Sequence, residues 1–207
     1  MIAIIDYGTG NLKSVKNTLD CLKVGSRITD RPDEIKKAER LILPGDGSFG
    51  YMMQNLGEKN LVESIKDFIK SGKPFLGICL GLQALFDWSE ESPGVRGLSV
   101  FRGKVVKFRK GKVPQIGWNQ ITPCKKNTSS RSIFFDSYMY FVNSYYAAPN
   151  DRSIIAASAD YNGTFACAVR FRNITAVQFH PEKSGKSGLK MLRNWLKYGG
   201  KNFKVKL

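Results

Sequence analysis

A single histidine, His180, and four cysteines with no C-x-x-C pair are all the nitrogen and sulfur that these 207 residues offer a transition metal. A zinc cage draws on closely spaced pairs of cysteine or histidine ligands, and this sequence has none, so neither a metal nor another cofactor is expected. Cys21, Cys79, Cys124 and Cys167 lie far apart. A domain of this length has no need of disulfide staples, and the four are read as free thiols. No apolar run approaches the length of a membrane span. The opening Met1-Ile2-Ala3-Ile4-Ile5 is stopped by Asp6 and has no basic segment before it, which reads as a first strand and not as a signal peptide. A cytoplasmic protein is the expectation. Internal repeats, linkers and low-complexity tracts are also missing, so residues 1–207 are expected to form one domain.

Acidic side chains are scarce as well: 17 against 33 lysines and arginines, a formal charge of +16. Such an excess raises the question of nucleic acid or a membrane surface. The basic residues are scattered, however, with local clusters only at Arg102 to Lys112 and Lys197 to Lys206, and no aromatic-basic ribonucleoprotein motif occurs. Neither partner is expected; a solvated face or an acidic protein partner accounts for the charge more simply.

What is present is globular: 42% hydrophobic residues and three tryptophans. Strand-like Ile2 to Asp6 leads into a helix from Leu12 with Val15, Leu19 and Leu22 on one face. A strand at Arg27 to Thr29, a small helix at Asp33 to Ala38 and a buried strand at Leu41 to Leu43 follow. A helix carrying Leu61, Ile65, Phe68 and Ile69 ends at Gly72. This alternation is that of a parallel sheet covered on both faces. Beyond Glu91 the pieces are shorter: Val105 to Phe108, Tyr138 to Val142, Ile154 to Ala157, and Phe165 to Phe171 turning at Arg172-Asn173 into Ile174 to Phe179. A last helix runs from about Lys186 to Tyr198, capped by Gly199-Gly200. The fold class that results is α/β, a three-layer sandwich with a mostly parallel central sheet and a smaller antiparallel extension.

Three stretches carry chemistry. Phe75 to Gln83 reads as a buried strand entering a sharp turn at Cys79, with Gly77 and Gly81 two residues to either side. Such a turn pushes its central side chain out at the end of the sheet, where a helix N-terminus favours the thiolate. Taken alone, G-x-C-x-G is equally compatible with a structural cysteine. The second stretch is Gln178-Phe179-His180-Pro181-Glu182, directly after an apolar strand. If that strand neighbours the one ending at Cys79, His180 can serve as general base and then general acid, with Glu182 orienting the ring. The third, Gly45-Asp46-Gly47-Ser48-Phe49-Gly50, matches G-x-G-x-x-G. Pro44 precedes it and residues 51–60, with Asn55, Gly57 and Asn60, predict no long helix, so a dinucleotide site is not expected. A loop lending N–H groups to an anion fits better.

Taken together these motifs resemble the class I glutamine amidotransferases. Asp6-Tyr7-Gly8-Thr9-Gly10-Asn11, Pro114 to Asn119 and Tyr140 to Tyr145 extend the likeness over nearly the whole chain. They place it nearest the branch that supplies ammonia to a (β/α)8 barrel synthase, a cyclase, in histidine biosynthesis. The resemblance implies a glutaminase that acts on L-glutamine in a heterodimer with that barrel, with Cys79, His180 and Glu182 as its triad. It assigns the oxyanion donors to the N–H groups of Gly47 and Leu80, substrate contacts to Gln83, Ser144 and Tyr145, and the partner-facing side to Asn11, Trp118 and Lys183.

Two positions depart from the family pattern. Asp46 replaces the small apolar residue of P-G-V-G, and its carboxylate either points to solvent or turns inward, where it opposes the anion or holds the loop inactive. Asn143 replaces a histidine, so His180 has no substitute as base. A paralogue that feeds ammonia to a surface-polysaccharide sugar, a partner-independent γ-glutamyl hydrolase and a basic, non-enzymatic binding module stay open as alternatives.

Overall fold

The computed structural model describes residues 1–124 and 133–199. Gly200 of the expected helix cap and most of the second basic cluster lie outside them. Five strands, β1 (Ile2–Ile5), β2 (Ser26–Thr29), β3 (Arg40–Leu43), β4 (Phe75–Ile78) and β12 (Ile174–Val177), run parallel in the order β2-β1-β3-β4-β12. β1, β4 and β12 are apolar or small along their length and buried throughout, as strands covered on both faces must be.

Alternate residues of these strands feed two separate cores. Ile5, Leu41, Leu43 and Phe75 pack with Ile35, Leu56, Ile65 and Phe68, which belong to helices α2 (Pro32–Lys37), α3 (Phe49–Glu58) and α4 (Leu61–Lys70). Ile4, Ile42, Leu76 and Ile78 pack with Val15, Leu19, Leu192 and Trp195, from α1 (Leu12–Cys21) and α6 (Gly185–Tyr198). The sheet is thus the middle of three layers.

β12 also pairs antiparallel with β11 (Thr164–Phe171), and the sheet continues through β10 (Ile155–Asp160) and β7 (Gln115–Pro123) to β8 (Ser137–Asn143). The turn between β11 and β12 holds Arg172 at φ 53°. A side branch of β5 (Trp88–Ser89), β6 (Gly103–Lys107) and β9 (Tyr145–Pro149) joins through β9 to β11. This is the mixed α/β sheet expected from the sequence, parallel first and antiparallel after.

Three local readings change. Residues 51–58 are helical, as part of the ten-residue α3 that starts at Phe49. Phe49, Met52, Met53 and Leu56 bury one face of it, and Asn55 uses its side chain to donate to the carbonyl of Tyr7 at 2.8 Å instead of competing with the helix backbone. Tertiary burial outweighs the poor propensity of Asn and Gly. The strand after Arg172-Asn173 stops at Val177, leaving Gln178, Phe179 and His180 as its exit. The third is β7, nine residues long, which sequence reading marked only as a motif around Trp118.

Candidate active site

β4 ends at Ile78, and Cys79 follows at φ 54°, ψ −107°, a conformation costly for any residue with a Cβ. The glycines beside it make that conformation possible. A Cβ on Gly81 would collide with the carbonyl oxygen of Leu43, and one on Gly77 would lie 2.6 Å from the carbonyl oxygen of Gly81. The helix that Cys79 opens, α5 (Leu80–Gln83), is a single turn. The sequence reading relied on a helix dipole here, and one turn supplies little of it; the charge partner of the sulfur has to come from elsewhere.

That partner is His180. β4 and β12 are neighbours with Ile78 opposite Val177, so both strands deliver their next residues to one edge. The exit of β12 is clamped: His180 N–H donates to the carbonyl of Tyr140 at 2.9 Å, and the Ser184 hydroxyl donates to the carbonyl of His180 at 2.6 Å. A short 3-10 turn, Pro181–Lys183, folds the acid back onto the ring. His180 Nδ1 and Glu182 Oε1 are 2.8 Å apart, with both side chains only 2% exposed. The other nitrogen, Nε2, is buried with no hydrogen-bond partner among the described residues. Burial by itself lowers the basicity of the ring, but the hydrogen bond and charge of Cys79 and then those of Glu182 prevail and raise its pKa to about 10. Catalytic hydrogen bonds are commonly loose before substrate arrives.

The glycine loop meets the same edge. Gly45 packs under Leu80, where an added Cβ would come within 2.6 Å of the Leu80 Cβ. Its carbonyl accepts from Leu80 N–H at 3.4 Å, so this N–H is engaged by the loop. Gly47 stands at φ 94°. The Asp46 carboxylate is turned inward: Oδ1 lies 3.9 Å from His180 Nε2, and Oδ2 accepts from the backbone N–H of Asn11 at 3.0 Å. The Tyr7 hydroxyl bonds both the N–H and the carbonyl of Asp46 at 3.2 Å.

A cavity of about 420 Å³ opens beside the sulfur, with Gly47, Cys79, Leu80, Gln83, Ser144 and Tyr145 all on its wall. Lys183 of the expected partner face borders it too. Gln83 is tied down, its Nε2 donating to Gln178 Oε1 at 3.0 Å and to the Tyr145 carbonyl at 3.1 Å. Asn143 lines the same space and donates to that carbonyl at 2.9 Å. Asn11 and Trp118 are not on the cavity wall. Asn11 touches the site through Asp46, and Trp118, 56% exposed, stands on β7 with its ring edge-on to Tyr140 at 6.1 Å. Sequence reading missed Glu91, a carboxylate on the cavity whose Oε2 accepts from Phe49 N–H at 2.7 Å, and Gln178, which donates toward Cys79 Sγ at 3.5 Å. Glu91 had no motif to mark it, whereas Gln178 stood inside one and was passed over.

The chain is similar to several known proteins. The family model for class-I glutamine amidotransferases matches residues 3–198. The imidazole glycerol phosphate synthase subunit HisH of Pyrococcus furiosus is 49% identical over 195 residues, covering 94% of this chain and 97% of its own. The subunit of the same name from Chlorobaculum tepidum is 40% identical over 201 residues, covering 96% and 100%. Among solved structures, a glutamine amidotransferase superposes with a TM-score of 0.78 at 16% identity over 97% of this chain and 100% of that one. PurLQS from Thermotoga maritima gives a TM-score of 0.75 at 18% identity, covering 95% and 97%; these two speak to the fold alone. The chain belongs to the class-I glutamine amidotransferase family and, within it, to the family of imidazole glycerol phosphate synthase subunit HisH.

Proposed function

We propose that this chain hydrolyses L-glutamine to glutamate and ammonia, with Cys79 as nucleophile, His180 as acid and base, and Glu182 as the group that orients the ring. The observation that carries this reading is the placement of thiol and imidazole at the ends of adjacent parallel strands, with Glu182 2.8 Å behind the ring. The sulfur attacks the side-chain carboxamide carbon, and ammonia leaves with a proton from His180. His180 then takes a proton from water, the water oxygen attacks the thioester, and glutamate is released. The step needs no cofactor.

The tetrahedral oxyanion is to be held by the N–H groups of Leu80 and Gly47, and losing one such donor typically costs about 10²–10³ in rate. Leu80 N–H becomes free for it only when the Gly45 carbonyl turns away. Gln83, Ser144 and Tyr145 form the substrate wall, and Glu91 offers a carboxylate for the α-ammonium group. Asp46 holds the loop in the engaged position through Asn11 and offers His180 a second acceptor, which keeps the free chain slow.

The chain acts as one domain in the cytoplasm, in a heterodimer with a (β/α)8 barrel cyclase that receives the ammonia. No helix among the described residues is long and apolar enough to cross a membrane. The names of the relatives favour this partner over the surface-polysaccharide alternative. Asn11, Lys183 and the exposed ring of Trp118 form the docking side. The decisive test is Cys79→Ala in complex with the barrel: glutamine should yield no product, while added ammonium salt still supports the barrel's reaction. Full glutamine turnover in that variant removes the assignment.

A further inference from the structure

Gln178 is fully buried at the exit of β12, and the mechanism above gives it no task. Its carboxamide bridges two groups of the site. Nε2 lies 3.5 Å from Sγ of Cys79, and Oε1 accepts from Nε2 of Gln83 at 3.0 Å. The two ends of an amide have the same shape, so the direction of such a chain is set by its partners. Here one partner decides it. The same Gln83 atom sits 3.1 Å from the carbonyl oxygen of Tyr145, which can only accept. The Gln83 end must therefore be NH2, the Gln178 atom facing it must be oxygen, and an N–H is what remains for the sulfur.

We propose that Gln178 is a further catalytic residue, whose N–H holds the sulfur of Cys79 in its attacking orientation as thiolate and receives it again as a leaving group. The inference rests on Cys79 being the nucleophile. A hydrogen bond to an ionised acceptor is about twice as strong as one between neutral groups, and an amide out of reach of bulk water has no substitute for it. In the first step the sulfur's electron pair forms the bond to the carboxamide carbon. In the last, the water oxygen bonds to the acyl carbon, its proton passes to His180, and the carbon–sulfur bond breaks with its pair returning to sulfur, where the Gln178 N–H waits. Because the chain of amides is anchored on β9 at Tyr145, it fixes the sulfur relative to the wall that holds the substrate.

Alkylation by iodoacetamide against pH, read at the Cys79 peptide by mass spectrometry so that Cys21, Cys124 and Cys167 do not interfere, measures the thiolate directly. In Gln178→Leu the midpoint should rise by about one pH unit, the scale of one lost hydrogen bond to a charged form. In complex with the barrel, kcat for glutamine should fall by about ten-fold or more while KM moves less than about two-fold. Gln178→Glu keeps the shape and the acceptor for Gln83 but replaces the donor by a carboxylate whose charge also opposes the thiolate, so with the packing kept its midpoint should rise at least as far as in Gln178→Leu. A wild-type alkylation profile in either folded variant, or a loss confined to KM, overturns the proposal. Cys79→Ala is read apart from these: if it keeps turning over glutamine, the nucleophile assignment fails whatever the alkylation profile.

Discussion

The backbone N–H of Cys79 donates to the carbonyl oxygen of Val177 at 2.7 Å, the last rung of the ladder between β4 and β12. From that rung the imidazole is three residues away along the chain, and the thiol belongs to the rung itself. Register is therefore what assembles the site, because a slip by one residue would turn every side chain of a strand to the opposite face. The glycines on either side serve the same end by letting α5 sit close enough to Leu43 for the turn to form.

The strain at Cys79 has a measurable cost. A residue with a Cβ held at φ 54° loses about 1–3 kcal/mol, and glycine at the same place loses about 0.5–1 kcal/mol of extra chain entropy. Cys79→Gly should thus be more stable than Cys79→Ala by about 1 kcal/mol in urea titration, a net of those two effects. Equal midpoints would cut the strain to about the 0.5–1 kcal/mol of the entropy term, and a Cys79→Gly less stable than Cys79→Ala would mean that the turn stores none.

The pH dependence of stability follows from His180. Its pKa is raised from 6.5 to about 10 in the folded chain, so the native state binds a proton that the unfolded chain gives up. The stabilisation is fully present below pH 6.5, and it is lost as pH rises from there through about 10. Lysines and tyrosines titrate near the upper end of that window, so the quantity to follow is the difference between the wild type and Cys79→Ala, which lacks the strongest partner favouring the charged ring. Urea midpoints taken from pH 6 to 10 should converge at the alkaline end. A constant gap would show that the ring is not held protonated by the thiol.

Much of this site was legible because its chemistry is compressed into short motifs. Cys79 with its two glycines, and His180 with Glu182, needed only strand adjacency to meet, and alternating apolar strands and amphipathic helices implied a parallel sheet. What escaped the sequence is set by packing at a distance. Helix α3 forms against the propensities of Asn55 and Gly57 because Phe49, Met52 and Leu56 are buried. The inward turn of Asp46 depends on an N–H of Asn11 supplied by another loop. Gln178 has meaning only through Gln83 and a carbonyl of β9.

Asp46 stands where the resemblance implies a small apolar residue, and its orientation gives the difference a consequence. A carboxylate 3.9 Å from His180 Nε2 competes with the sulfur for the charged ring, and its bond to the Asn11 N–H ties down the loop whose Gly45 carbonyl accepts from Leu80 N–H. Asp46→Val removes both effects. Glutamate release by the chain without its partner should rise on the order of ten-fold, equivalent to about 1.4 kcal/mol off the barrier. Asp46→Asn, which can still accept from Asn11 but carries no charge, should fall between the two. A drop in activity in both variants would mean that the carboxylate supports the imidazole instead of competing for it.

The proposed docking side carries a surface that fits the proposal. Ile116 and Trp118 on β7 share a face with Tyr138, Tyr140 and Val142 on β8, and Ile116, Trp118 and Tyr138 are each more than half exposed. Large apolar side chains grouped this way on a sheet, next to a cavity that Pro114 and Val142 help to line, fit a surface meant to be covered. Truncating the largest of them tests this. Trp118→Ala should weaken the complex with the barrel by about 30-fold, the scale of a hot-spot tryptophan worth about 2 kcal/mol. Its own fold should change by no more than about 0.5 kcal/mol, since Trp118 is 56% exposed, meets Tyr140 edge-on and lies outside both cores. Calorimetric titration of the barrel into the variant measures the first quantity and urea unfolding the second. If the affinity is unchanged, the partner covers another face, and the link from Asn11 through Asp46 to His180 loses its reason for lying where it does.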